Sequence, residues 1–193
     1  MDKKLYEEFK EILRSELVPA LGCTEPGAIA CAAAEAGKLL KGEPDSVEIW
    51  CSGNIIKNVK GVTVPNSGGM RGIEAAAALG ILAGQSDTEK SKDLEILSSI
   101  TQSQIAEAKE MIEKDICVCR LKEDTPNLYI KVIAKNKDHE VQVTVEESHT
   151  NIVSRVVDGR ELSGGKGEKK DERAEKLKDH LTVREILAFA DMM

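Results

Sequence analysis

The sequence predicts an α+β domain, an antiparallel sheet of four to five strands with helices packed on it. Apolar residues recur at helical spacing up to residue 115, and from residue 116 to 162 the period changes to two. One alternating stretch, residues 47–52, interrupts the helical part and supplies a strand before the others. With 193 residues, 41% hydrophobic and 32% charged, the chain has the length and balance of a globular protein. A net charge of −7 argues against a nucleic-acid partner, and the scarcity of aromatics (3%) argues against base stacking. No apolar run approaches the roughly 20 residues that cross a bilayer, so no membrane partner is expected.

Leu5, Phe9, Ile12, Leu13 and Leu17 place one apolar face on a first helix that stops near Pro19. After the tight connection ALGCTE, Thr24 is expected to cap a second helix, with Pro26 in its first turn, that runs to about Leu40. Its alanines, from Ala28 to Ala36, permit close helix packing. Residues 52–72 hold five glycines among short apolar pairs and read as a functional loop. A helix over 72–83 ends before Gly84, read as its C′ glycine, and another covers 87–99. Thr101 and Gln104 form a capping box for a helix that reaches Asp115. The four alternating runs after it, separated by turns, read as a meander. Residues 163–180 are a charged linker closing a domain over 1–162. In residues 181–193, Thr182 and Glu185 repeat the capping box, and Val183, Ile186, Leu187 and Ala190 begin an apolar stripe that needs a partner.

The amino terminus shows no apolar leader, so a reducing cytoplasm is expected and the five cysteines are packing residues, reactive thiols or metal ligands. Cys23 stands at a helix entry, where backbone N–H groups and the helix dipole favour a thiolate, which makes it the expected most reactive thiol. Glu25, two residues on, opposes this: the dipole is expected to win if that carboxylate points to solvent and to lose if both groups face one dry pocket. The competing role is that of a small core residue. Cys117 and Cys119 share one face of a strand and are read as packing, as are Cys31 and Cys51. If residues 52–58 turn helical, Asn54, Lys57 and Asn58 share a face suited to a carboxylate, with a solvated polar loop as the rival. The glycines of residues 66–72 precede a helix and can present N–H groups to an anion, although neither nucleotide-binding fingerprint is present. His149, in a turn between strands, is suited either to proton transfer or to a structural contact.

The segments LVPALGCTEP (17–26), SGNIIKN (52–58), GVTVP (61–65), AAALG (76–80) and HTNI (149–152) resemble the L-cysteine desulfidase family. That family is related to the alpha part of iron–sulfur L-serine dehydratases. The motifs fall in family order, and the resemblance covers nearly the whole chain. It implies a lyase of cysteine catabolism that converts L-cysteine to hydrogen sulfide, ammonia and pyruvate by β-elimination. It also implies a four-iron, four-sulfur (4Fe-4S) cluster with Cys23 as one metal ligand. Ser52, Asn54, Lys57 and Asn58 become candidates for substrate binding, and Cys23, Lys57 and His149 for catalysis. Family members continue into a second half that carries the other cluster cysteines. The chain resembles the amino-terminal portion of such an enzyme, with that half as its expected partner, and the isolated chain is expected to be inactive. An L-serine dehydratase-like lyase, or a noncatalytic binding or regulatory subunit that docks through its last helix, is the alternative.

Overall fold

The computed structural model describes residues 2–17, 20–86, 94–162 and 178–192. Residues 163–177 of the expected linker and 87–93 of the expected helix lie outside them. Contacts divide the chain into two compact units, residues 20–168 and residues 1–19 with 169–193. Among the described residues, no helix is long and apolar enough to cross a membrane.

The larger unit runs through α2 (Thr24–Leu40), β1 (Ser46–Cys51), α3 (Gly53–Val59), α4 (Gly72–Ser86) and α5 (Gln102–Glu113) before β2 (Cys117–Leu121). Then come β3 (Tyr129–Lys135), β4 (Glu140–Glu146), β5 (Ile152–Val157) and β6 (Arg160–Glu161). Its sheet corrects the expected antiparallel one: six strands lie in the order β2-β1-β3-β4-β5-β6, and β1 pairs with β2 in parallel. The cause is the connection. Among the described residues α3, α4 and α5 carry the chain from β1 back across the sheet, and a crossover of that kind returns the next strand in the same direction. A period of two reveals strands but not their order, so the sequence does not show that β1 separates β2 from β3. The expected single run over β5 and β6 is a hairpin, closed by Asp158 and Gly159 with φ of 50° and 75°. Two consecutive positive φ angles give the turn twist that hairpins favour.

Val47, Ile49, Cys51, Ile130, Val132, Ala134, Val141, Val143 and Val145 form the buried face of the sheet. Helix α2 covers it, and α4 packs against α2 at backbone distance. A Cβ on Gly37 would stand 2.5 Å from the Ile81 carbonyl oxygen, and Gly80 and Gly84 sit just as tightly on Ala30 and Ala34. Gly84 therefore does not end a helix. It lies inside α4 because only a residue without a side chain fits there. The end expected near Ala83 moves to Ser86, and the expected helix over 87–99 shows only a short 3-10 turn, Ile96–Ser99, in its described part. Thr101 and Gln104 form both halves of the expected capping box. Across this core the Arg155 Nε donates to Glu35 Oε1 at 2.6 Å, with both side chains largely buried, which ties α2 to β5.

The smaller unit pairs α1 (Lys3–Glu16), capped by Asp2, with α6 (Val183–Ala190), capped by Thr182. Phe189 sets its ring 5.2 Å from Tyr6 and 5.1 Å from Phe9, centroid to centroid. Lys178 reaches Glu16 at 2.7 Å.

Candidate functional site

Gly22 turns the chain with φ at 76°, and Cys23 then takes the N-cap position of α2 in an extended conformation. Thr24, the expected cap, is instead the first helical residue, and no side chain caps the helix. The half-buried Cys23 thiol turns to a carboxylate: its Sγ donates to Glu25 Oε2 at 3.1 Å. Thr24 Oγ1 donates to the same oxygen at 3.2 Å, and from α3 the Asn58 amide donates to Glu25 Oε1 at 3.4 Å. Burial and the bond to Glu25 push the Cys23 thiol above its ordinary range, outweighing the Glu25 backbone N–H that favours the thiolate. Glu25 moves the other way. Its carboxyl is held below the usual range by the thiol bond first, then by Thr24 and by the charge of nearby His149. Of the two expected outcomes at the helix entry the second is seen: Cys23 and Glu25 face one another, and burial together with the bond to Glu25 keeps the proton on sulfur.

Glu25 accordingly brings together three sequence-predicted residues, Cys23, Asn58 and His149, and it was absent from the candidates. Its effect on the Cys23 thiol is expected from its place two residues on, whereas its bond to Asn58 has no local signal. The other candidates lie elsewhere. Ser52 is buried at the N-cap of α3, where its Oγ accepts from the Ile55 N–H at 3.4 Å and donates to the Asn127 carbonyl at 2.6 Å. Asn54 is exposed at the edge of an open groove of about 430 Å³ shared with residues 121–127. Lys57 is exposed and makes no ion pair among the described residues. Residues 53–59 do turn helical, so Asn54, Lys57 and Asn58, spaced three and four residues apart, share one face, along which Asn58 bonds to Glu25 and Asn54 borders the groove. The glycine loop folds back on itself: Val64 N donates to Met70 O at 2.9 Å, Ser67 Oγ to the same carbonyl, and Gly72 N to Val62 O.

The remaining cysteines are arranged differently. Cys31, Cys51 and Cys117 are buried and Cys119 is half-buried. Burial and the Glu74 carboxylate push Cys117 up to about 12. The thiols of Cys51 on β1 and Cys119 on β2 are hydrogen-bond neighbours, an interaction that raises Cys51 and lowers Cys119. Among the described residues, no group of three or more His, Cys, Asp and Glu side chains is arranged to hold a metal ion. A four-iron cluster held through Cys23 would need ligands beyond the described residues.

No family model matches the chain. It is 50% identical over 148 residues to a UPF0597 protein of Finegoldia magna, covering 76% of this chain and 34% of that protein. It is 42% identical over 194 residues to a UPF0597 protein of Treponema denticola, covering 99% of this chain and 44% of the relative. A third, from Aeromonas salmonicida, is 39% identical over 191 residues, 97% of this chain and 42% of that protein. The chain thus spans less than half the length of the curated relatives it matches, and those relatives are UPF0597 proteins.

Proposed function

We propose that this chain is the amino-terminal portion of an iron–sulfur L-cysteine desulfidase-like lyase that eliminates hydrogen sulfide from L-cysteine to give ammonia and pyruvate. One observation supports this above others: Glu25 joins the two motif segments through Cys23 and Asn58, with His149 close enough to act on the same carboxylate. In this reading Cys23 is one ligand of a four-iron, four-sulfur cluster, and the other ligands come from the region present in longer relatives. When bound, the cluster supplies a Lewis acid to the leaving group of the substrate.

The residues of this chain hold protons and charges in defined places. Glu25 keeps a proton on Cys23 Sγ, and losing it would set two negative charges 3.1 Å apart. Ligation by the thiolate therefore requires a compensating positive charge or a turn of the Glu25 side chain. Asn58 stays neutral and directs its amide at the carboxylate, so it fixes position without adding charge. His149 supplies an imidazole able to give or take a proton. Lys57, exposed on α3, remains the candidate for the substrate carboxylate.

The test uses the full-length Treponema denticola relative, reconstituted anaerobically with iron and sulfide, with pyruvate and sulfide release measured from L-cysteine and from L-serine. Release of both products from L-cysteine is expected. Substituting the residue aligned with Cys23 by Ala should abolish it, and the Asn58→Ala equivalent should lower kcat/KM by about tenfold, a loss typical of one positioning hydrogen bond. No turnover of either amino acid by a cluster-loaded protein would overturn the reading. Turnover of L-serine alone would replace the substrate.

A further inference from the structure

Helix α6 has two apolar faces, and its own unit uses one. Phe189, 7% exposed, packs its ring against Tyr6 and Phe9 of α1. Val183, Ile186 and Leu187 stand at 76%, 45% and 61% exposure, and Ala190 is also exposed. Their spacing of three, four and seven residues makes one continuous stripe on a helix. Helix α1 of the same unit exposes mainly charged residues, Lys3, Lys4, Glu7, Arg14 and Glu16, with Leu13 the one apolar side chain among them at 38% exposure. In α6 the charged Arg184 and Glu185 lie off the stripe, and Glu185 is engaged with the Thr182 cap. A stripe of large aliphatic side chains facing water has an unfavourable hydration free energy that burial removes.

The comparison with Treponema denticola says what is available to cover it. That alignment includes 99% of this chain, so α6 lies within it, yet it accounts for 44% of the relative. More than half of the relative is polypeptide outside the matched region. We propose that the Val183, Ile186, Leu187 and Ala190 stripe is the docking face for this additional region of the UPF0597 proteins, received through an apolar surface. The proposal rests on the reading of this chain as one part of a longer protein and not on the β-elimination reaction, and its test does not measure turnover.

The experiment places the same paired substitution in two intact proteins. In this chain, Ile186→Glu with Leu187→Glu alters only exposed positions and should shift the melting temperature by less than about 2 °C. Glutamates at the two aligned positions of the full-length Treponema denticola protein should lower its melting temperature by roughly 5 °C or more, because they are then buried as unpaired charges. Hydrogen exchange gives a second readout without mutation: the aligned helix should exchange more slowly in the full-length protein than α6 does in this chain. An alanine pair at the same positions covers the case in which the glutamates prevent folding, and it should shift the full-length protein more than this chain. Equal small shifts with equal exchange in the two proteins would overturn the proposal. A dimer of this chain in sedimentation, abolished by the glutamate pair, would overturn it in favour of a second copy.

Discussion

Cys23 and Cys119 are both half-buried, and they differ in which way their hydrogen bond runs. Cys23 stands at a helix N-terminus, a place known for acidic thiols, but its neighbour is an acceptor. Glu25 takes the S–H hydrogen bond and holds the proton in place. Cys119 lies in strand β2, and its neighbour is the Cys51 thiol. The Cys51 thiol, fully buried and hard to ionise, gives its hydrogen bond to Cys119 and stabilises the thiolate there. At Cys23 burial acts first and the bond to Glu25 adds to it at hydrogen-bond distance, and together they outweigh a helix dipole that is spread over its first turn.

Changing the neighbour should therefore reverse each behaviour. Glu25→Gln replaces the acceptor by an amide that can donate, and it removes the like charge. Iodoacetamide labelling of Cys23 at pH 7.5 should accelerate by about tenfold, the change in thiolate fraction for one unit of pKa. Quantitative peptide mapping measures it, and an unchanged rate would mean that burial alone sets the Cys23 proton affinity. Cys51→Ala should work in the opposite sense on Cys119, slowing its labelling by roughly threefold through loss of the donor. Because Cys51 is fully buried, the alanine also opens a small cavity, so Cys51→Ser serves as the control. Its hydroxyl can still donate, and Cys119 should keep most of its reactivity. In the unmodified chain the expected order is Cys119, then Cys23, with Cys51 and Cys117 far behind.

The same contrast explains what the sequence disclosed. Periods of 3.6 and 2 located the helices and strands because amphipathic patterning is written residue by residue. The capping box at Thr101 and Gln104 is equally local, whereas the Asp158-Gly159 turn, just as local, was passed over in a run read as one strand. Strand order was hidden, since nothing within β1 states that β2 will return parallel beside it. Gly84 was misread because a glycine serves either a positive φ or a close approach, and the second use depends on Ala34, fifty positions away in the chain. At the candidate site, Cys23 and Asn58 were visible as chemistry-bearing residues at plausible positions. Their connection through Glu25 was not, because it joins α2 to α3 across 33 residues. The Arg155 and Glu35 pair had one available hint, a single carboxylate within the alanine-rich run of α2, but its partner 120 residues on could not be named.

The smallest effect expected is on stability, and it sharpens the contrast by isolating the carboxylate. Glu25 has a folded pKa below that of the unfolded chain, so its contribution is fully present above the unfolded value, about 4.3. That contribution is lost as pH falls through the folded value. Cys23 has a folded pKa above its unfolded value, so its proton favours the fold up to about pH 8.5 and that advantage is lost as pH rises further. The pair should thus give a plateau between these limits, with stability falling on both sides. Glu25→Gln removes the acid limb due to this residue and shortens the alkaline one, since the Cys23 thiolate no longer forms beside a negative charge. Both groups are partly solvated, so screening keeps the effect small, on the order of 1–2 °C in melting temperature at pH 3.5 relative to pH 6. Melting curves of the two proteins across pH 3 to 10 measure it. An acid limb of equal size in both would assign the acid sensitivity to other carboxylates and leave the Glu25 bonds without energetic consequence.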